Sequence, residues 1–246
     1  MSRLHPAAEQ GFARAAGEYR RGRPSYPPEA LDYLARRLEL GPGRTVVDLA
    51  AGTGALTRPL LAKGAEVVAV EPVAEMRAEL PEGATALDGT AEHIPLEPGR
   101  ADAVSVGQAF HWFDGVAALA EIHRVLRPGG SLALIWNRRV AGDPVNRAIE
   151  ELLRPHLNLV PSHGRGDWRA AFERTTLFGS LEERRFANEH TLDADGMADR
   201  VGSISFVPTL PTAERERLIA AARGLAAAGP VTMTYRTEVQ VCERLG

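Results

Sequence analysis

Asp48-Leu49-Ala50-Ala51-Gly52-Thr53-Gly54 sets an acid and two glycines close together, and Glu71 follows about 20 residues later. Glycines in such a loop let the backbone approach a ligand closely and take φ values that other residues resist. An acid at that distance, at the end of a following strand, accepts hydrogen bonds from ribose hydroxyls in doubly wound folds. The bland alternative makes the glycines a turn and Glu71 a helix-capping residue ahead of Pro72. The form of the loop narrows the ligand. Leu56 and Thr57 stand where a dinucleotide site needs its third glycine, and the only lysine, Lys63, is badly placed for a P-loop. A ligand with a ribose but no phosphate chain fits these residues, and S-adenosyl-L-methionine meets that description.

His111 stands between Phe110 and Trp112, just past an expected strand end. Three roles are open to it. It is a general base, since an unperturbed histidine titrates near pH ~6.5, or a pocket residue that anchors a substrate carboxylate, or a packing histidine. Trp112 and Phe113 line a substrate pocket beside a sulfonium, whose charge an aromatic face attracts, or they pack in the core. Arg20, Arg21 and Arg23 pair with a cofactor carboxylate or form a solvated charge run, with Arg23 singled out by its neighbour Pro24. His156, His163 and His190 read as surface residues, and Asp193-x-Asp195 as a turn or helix cap. The lone Cys242 and the absence of H-x-x-x-H spacing leave no metal site and no disulfide.

The elements that must position these residues alternate along the first half. Short β-branched runs at Thr45–Leu49, Glu66–Val70, Ala103–Val106 and Ser131–Trp136 read as buried strands. Leu31, Leu34 and Leu38 mark a helix opened by Pro27-Pro28-Glu29 and closed at Gly41-Pro42-Gly43. Leu56, Leu60 and Leu61 mark a second helix, and Leu119, Ile122 and Leu126 a third, stopped by Pro128-Gly129-Gly130. Such βαβα alternation predicts a parallel sheet covered on both faces. The second half is less regular: helical pieces and a polar loop fill residues 143–185, a helix spans 213–228, and 231–241 alternates like a last strand.

With 246 residues, 44% hydrophobic and 25% charged, the chain suits one larger domain or one domain with an insertion. A formal net charge of −3 offers no basic surface to nucleic acid. No run reaches the ~18 apolar residues of a membrane span, and the start lacks the apolar core of a signal peptide, so a cytoplasmic enzyme is expected.

Asp48–Gly54, Val70-Glu71-Pro72 and Met76 resemble the first two motifs of class I S-adenosylmethionine-dependent methyltransferases. Gly89–Pro95, Gln108–Phe113 and Arg124–Gly130 are similar to later motifs of the type-11 branch, which includes small-molecule carboxylate methyltransferases of the trans-aconitate type. Tyr19-x-x-x-Arg23-Pro24-x-Tyr26-Pro27 resembles that group's N-terminal segment, and Ala50 departs from a frequent glycine. The resemblance implies an α/β fold: a doubly wound, mostly parallel seven-stranded sheet with helices on both faces and a helical insertion or lid. It implies one domain over 1–246, with an N-terminal helical cover at 1–43, a cofactor-binding core at 44–137, and the insertion and end of the sheet at 138–246.

It also implies a role for each matched position. Asp48 orients the methionine amino group, and Ala50, Gly52 and Gly54 let the backbone pass close to the cofactor. Glu71, followed by Pro72 and Met76, takes the ribose hydroxyls. Thr90, Ala91 and Glu92 meet the adenine edge, Gln108 the methionine portion, and Tyr19 and Arg23 cover the cofactor. Tyr26, Phe110, His111 and Trp112 form the substrate pocket, with His111 the one candidate for proton transfer. The expected activity is methyl transfer to a small-molecule carboxylate or hydroxyl, by a monomer or homodimer, without nucleic acid or membrane. The rival readings are a non-catalytic cofactor-binding module on the same fold and a nicotinamide-dependent oxidoreductase.

Overall fold

A computed structural model describes residues 21–156 and 168–246. Each apolar run of the first half becomes a strand: β1 (Thr45–Leu49), β2 (Glu66–Val70) and β4 (Ala101–Gly107), with a three-residue edge strand, β3 (Thr85–Leu87), beside β2. They join β5 (Leu126–Arg139), β6 (Glu182–Leu192) and β7 (Val231–Glu243) in one seven-stranded sheet of order β3-β2-β1-β4-β5-β7-β6. The β1–β5 pairings are parallel, and β7 runs antiparallel to both β5 and β6. Because β1 lies between β2 and β4, the loops leaving all three emerge at one carboxyl edge, where order reversal opens a crevice.

Helices α1 (Pro28–Arg37) and α2 (Thr57–Ala62) cover one face; Leu34 and Leu60 meet Val46, Ala103 and Ile135 there. After the short α3 (Ala74–Arg77), α4 (Gly115–Val125) covers the other face, packing Leu119 and Ile122 on Val47, Val104 and Leu134. The spacing that marked α4 therefore points to a real apolar stripe. Its end differs from expectation: Leu126 already begins β5, and Arg127–Gly130 bulge out of the ladder, which resumes at Ser131 opposite Ala103. The glycines interrupt the strand rather than precede it.

The region after β5 holds α5 (Pro144–Leu153), α6 (Arg169–Glu173), α7 (Ala194–Gly202) and α8 (Thr212–Gly224). Ile149, Met197, Val201, Phe206, Ala222 and Met233 form its separate core. Asp193 caps α7, its side chain accepting from Gly196 N at 2.8 Å, so this acid is a cap as its sequence suggested. β6 was not legible in the sequence, because a charged edge strand, EERRFANEHTL, shows little apolar alternation. The expected polar loop Pro161–Asp167, with His163, lies outside the described residues, as do Tyr19 and Arg20. No helix among the described residues is long and apolar enough to cross a membrane.

Candidate functional site

Beyond β1 the chain turns through three residues of positive φ: Ala50 at 56°, Gly52 at 58° and Gly54 at 83°. Gly54 has no alternative, since a Cβ there would lie 2.7 Å from Pro81 Cδ. Ala50 holds a left-handed conformation that costs an L-residue about 1–2 kcal/mol. Ala51 N donates to Val70 O at 3.2 Å, tying the loop to the end of β2.

Glu71 stands directly below this loop. Its Oε2 accepts from Gly52 N at 2.8 Å and its Oε1 from Val73 N at 2.9 Å. The side chain is buried, and burial pushes its carboxyl up against the opposing pull of those two N–H groups and Arg77. A carboxylate offers about four acceptor sites, so two remain. Asp48 is buried at the end of β1, accepting from Thr57 Oγ1 at 2.6 Å. Burial pushes its carboxyl up to about 7; bonds from Thr57 and Ser105 oppose this, and the charge of Glu71 adds to it.

Gln108 follows β4 with a φ of 61°, its N–H donating to Ile135 O at 2.9 Å. Asp48, Ala50, Gly52 and Gln108 share a cavity of about 50 Å³ with Arg23 and Tyr26. This is well below the ~300–1,000 Å³ of a whole ligand site, so the enclosed end takes one small group and the rest of a ligand lies along the loop. Tyr26 reaches in because residue 107 is glycine; a Cβ there would stand 2.8 Å from the Tyr26 hydroxyl.

The leading segment is held over the cavity by the second half of the chain. Asn137 Nδ2 donates to Pro24 O and Ser25 O at 3.1 and 3.2 Å, and Asn188 Nδ2 to Ser25 O at 2.8 Å. Arg23 donates to Ser203 O at 2.8 Å, and Arg21 forks onto the Asp199 carboxylate at 2.6 and 3.1 Å. Gly22 touches α7 so closely that a Cβ would lie 2.4 Å from the Asp199 carbonyl carbon.

Other expected residues sit elsewhere. Met76 is buried beneath the loop, its sulfur 4.0 Å from the place of a Gly52 Cβ, and Pro72 is half-buried beside Glu71. Thr90 and His93 exchange backbone bonds of 3.3 and 3.2 Å around Ala91 and Glu92. Ala91 is core, and the Glu92 carboxylate accepts from Asp114 N at 2.9 Å, which fixes the start of α4. His111 does not line the cavity of Asp48. It borders a separate hollow of about 360 Å³ with Phe110, Phe113 and Trp168, its ring 4.9 Å from Trp112 and 5.5 Å from Trp136. Among the described residues no acidic, histidine or cysteine group is arranged to hold a metal ion.

The lining residues missed in the sequence include Asn137, Arg200 and Tyr235. One signal was available for Arg200, which falls between the apolar positions Met197 and Val201 on one helix face.

The family model described as a methyltransferase domain matches residues 47–134, the span from β1 into β5. An uncharacterized methyltransferase of Mycobacterium tuberculosis is 41% identical over 226 residues, covering 89% of this chain and 86% of that protein. A structure from Anaeromyxobacter dehalogenans, described as a type II methyltransferase, shares the fold at a TM-score of 0.65 and 24% identity, over 89% of this chain and 97% of its own. A geranyl diphosphate methyltransferase solved with GPP and sinefungin aligns at a TM-score of 0.51 and 16% identity, over 88% of this chain and 77% of its own. On the whole-length likeness to the mycobacterial protein and the matched domain together, the chain belongs to the methyltransferase domain family.

Proposed function

We propose that this methyltransferase takes its methyl group from S-adenosyl-L-methionine and delivers it to a small-molecule carboxylate or hydroxyl. The observation that carries the cofactor is the left-handed loop at Ala50 and Gly52 resting on the buried Glu71 carboxylate. Glu71 keeps acceptor capacity for a diol after binding Gly52 N and Val73 N. A third glycine for a pyrophosphate is absent from the start of α2. The neighbour solved with sinefungin supports the same assignment.

When bound, the cofactor supplies a methyl group on a sulfonium, which leaves as a neutral thioether. The work of the chain is alignment, since in-line displacement gains most from held geometry. Gly52 and Gly54 admit the ligand to the backbone, Glu71 binds and orients it, and Asp48 faces its amino acid end. Tyr26 and the Pro24–Ser25 segment exclude water from that end. A carboxylate acceptor needs no base; for a hydroxyl acceptor His111 is the first group to consider. Calorimetry tests the reading. S-adenosylhomocysteine should bind in the micromolar range and NAD should not; tight NAD binding without a response to the nucleoside thioether overturns it.

A further inference from the structure

The inner end of the cavity carries more positive charge than the reading above uses. Arg200 lines it from α7 and is only 6% exposed. Its Nε donates to the Tyr235 hydroxyl at 3.0 Å, which fixes the guanidinium plane, while buried Nη1 has no hydrogen-bond acceptor among the described residues. Arg139, the cross-strand neighbour of Tyr235, stands beside it. The Arg139 guanidinium is pushed down to about 10, first by the protein mass around it and further by the charges of Arg200 and Arg23, with Tyr235 and Glu150 pulling the other way. No carboxylate among the described residues forms an ion pair with Arg139 or Arg200. The one acid lining the cavity, Asp48, is held by Thr57 and Ser105.

Gathered cations with no carboxylate in direct contact are costly in a buried setting. A water would satisfy Nη1 but would leave the mutual repulsion untouched. An anion answers both, and the planar fork of arginine matches a carboxylate in two bonds.

We propose that Arg200, oriented by Tyr235 and backed by Arg139, is an anion-binding subsite that seats a carboxylate of the ligand at this end of the cavity. The inference rests on the cofactor reading above. The carboxylate has two sources, the methyl acceptor or the amino acid part of the cofactor, and the chemistry required of Arg200 is the same.

The experiment compares the full chain with Arg200→Met, which keeps the length and removes the charge. Calorimetry follows three probes: S-adenosylhomocysteine, methylthioadenosine, which is the same nucleoside without the amino acid, and citrate added to protein saturated with S-adenosylhomocysteine. In Arg200→Met at least one carboxylate probe should weaken by about tenfold or more, as expected for a lost charge-assisted pair, while methylthioadenosine is unchanged. Loss for S-adenosylhomocysteine assigns the carboxylate to the cofactor; loss for citrate alone assigns it to the acceptor. Equal affinities of both carboxylate probes in the two proteins overturn the subsite. Failure of methylthioadenosine to bind the unaltered chain would instead strike the cofactor reading. Should Arg200→Met not fold, Arg200→Lys keeps the charge but not the fork, and unchanged affinity for both carboxylates in that variant and in Arg139→Met likewise overturns the proposal.

Discussion

Two hollows open at the carboxyl edge of the sheet, one on the side of each covering layer. The one bordered by His111 and Trp168 belongs to the α4 layer, with the buried Trp136 ring 5.5 Å from that of His111. The one lined by Tyr26, Asn137 and Arg200 belongs to the α1 and α2 side. Neighbouring residues on β5 separate them, because Trp136 and Asn137 project to opposite faces. The first is aromatic, and its histidine is the residue that sequence reasoning favoured. The second is basic and is assembled from residues far apart in the chain. The lesson is that a chemical side chain inside a recognisable motif draws attention to itself, while a cavity built from residues as far apart as Arg23 and Tyr235 does not.

The largest expected effect concerns the acid that holds the loop at the edge of the basic cavity. Glu71→Ala removes the acceptor for the ribose and also strands the N–H groups of Gly52 and Val73. Affinity for S-adenosylhomocysteine should fall by about tenfold or more, and the apo protein should lose about 1–3 kcal/mol for each N–H left buried without a partner. An unaltered affinity by calorimetry would place Glu71 outside the ligand site.

Next comes a pH response that belongs to the basic cavity alone. Between the ordinary carboxylate range near ~4 and about 7, folded Asp48 retains a proton that the unfolded chain has lost. Stability therefore falls as pH rises through that window and levels off above about 7, by up to ~1.4 kcal/mol per pH unit from this group. Glu71, raised by the same cause, adds to the slope. Urea midpoints across that range should be flatter in Asp48→Asn; an identical slope would show that burial of Asp48 is not felt as a proton.

A third test addresses the aromatic hollow. His111 lies between tryptophan rings and away from Asp48, so its substitution should act on acceptor binding. His111→Ala should raise KM for the acceptor and keep kcat within a few-fold, with cofactor affinity intact. A kcat loss of ~10²–10⁴-fold, with loss of a pH-dependent rise through the histidine range, would make His111 a general base and give the chemistry to this side.

The smallest effect is expected at Ala50. Ala50→Gly relieves the left-handed strain of about 1–2 kcal/mol, partly offset by the extra freedom of glycine in the unfolded chain. The thermal midpoint should rise by a few degrees, and a fall would mean that Ala50 is not strained.

Legibility followed the range of the interactions. β1, β2, β4 and the helices α1, α2 and α4 announce themselves, because a fully buried strand is a continuous apolar run and a covering helix repeats every three or four residues. The Asp48–Gly54 loop and Glu71 were readable because both lie within one βαβ unit, where sequence distance and spatial distance agree. β3 and β6 are edge strands, the first only three residues long and the second exposed and charged, and they carry no such pattern. The hold of Glu71 on Gly52 N was hidden for another reason, since a side-chain bond to backbone leaves no mark on the partner's identity. Arg139, Arg200 and Tyr235 meet only after β7 inserts antiparallel beside β5, a step that local spacing does not encode.

The contact between Gly22 and the backbone of Asp199 has a mechanical consequence. A glycine pressed against a helix, with an arginine gripping that helix one residue earlier, ties the leading segment to α7. Arg200 is the next residue along that helix. The anchor of the cavity's cover and the guanidinium inside it are therefore consecutive residues, joined through the one peptide unit that Gly22 touches.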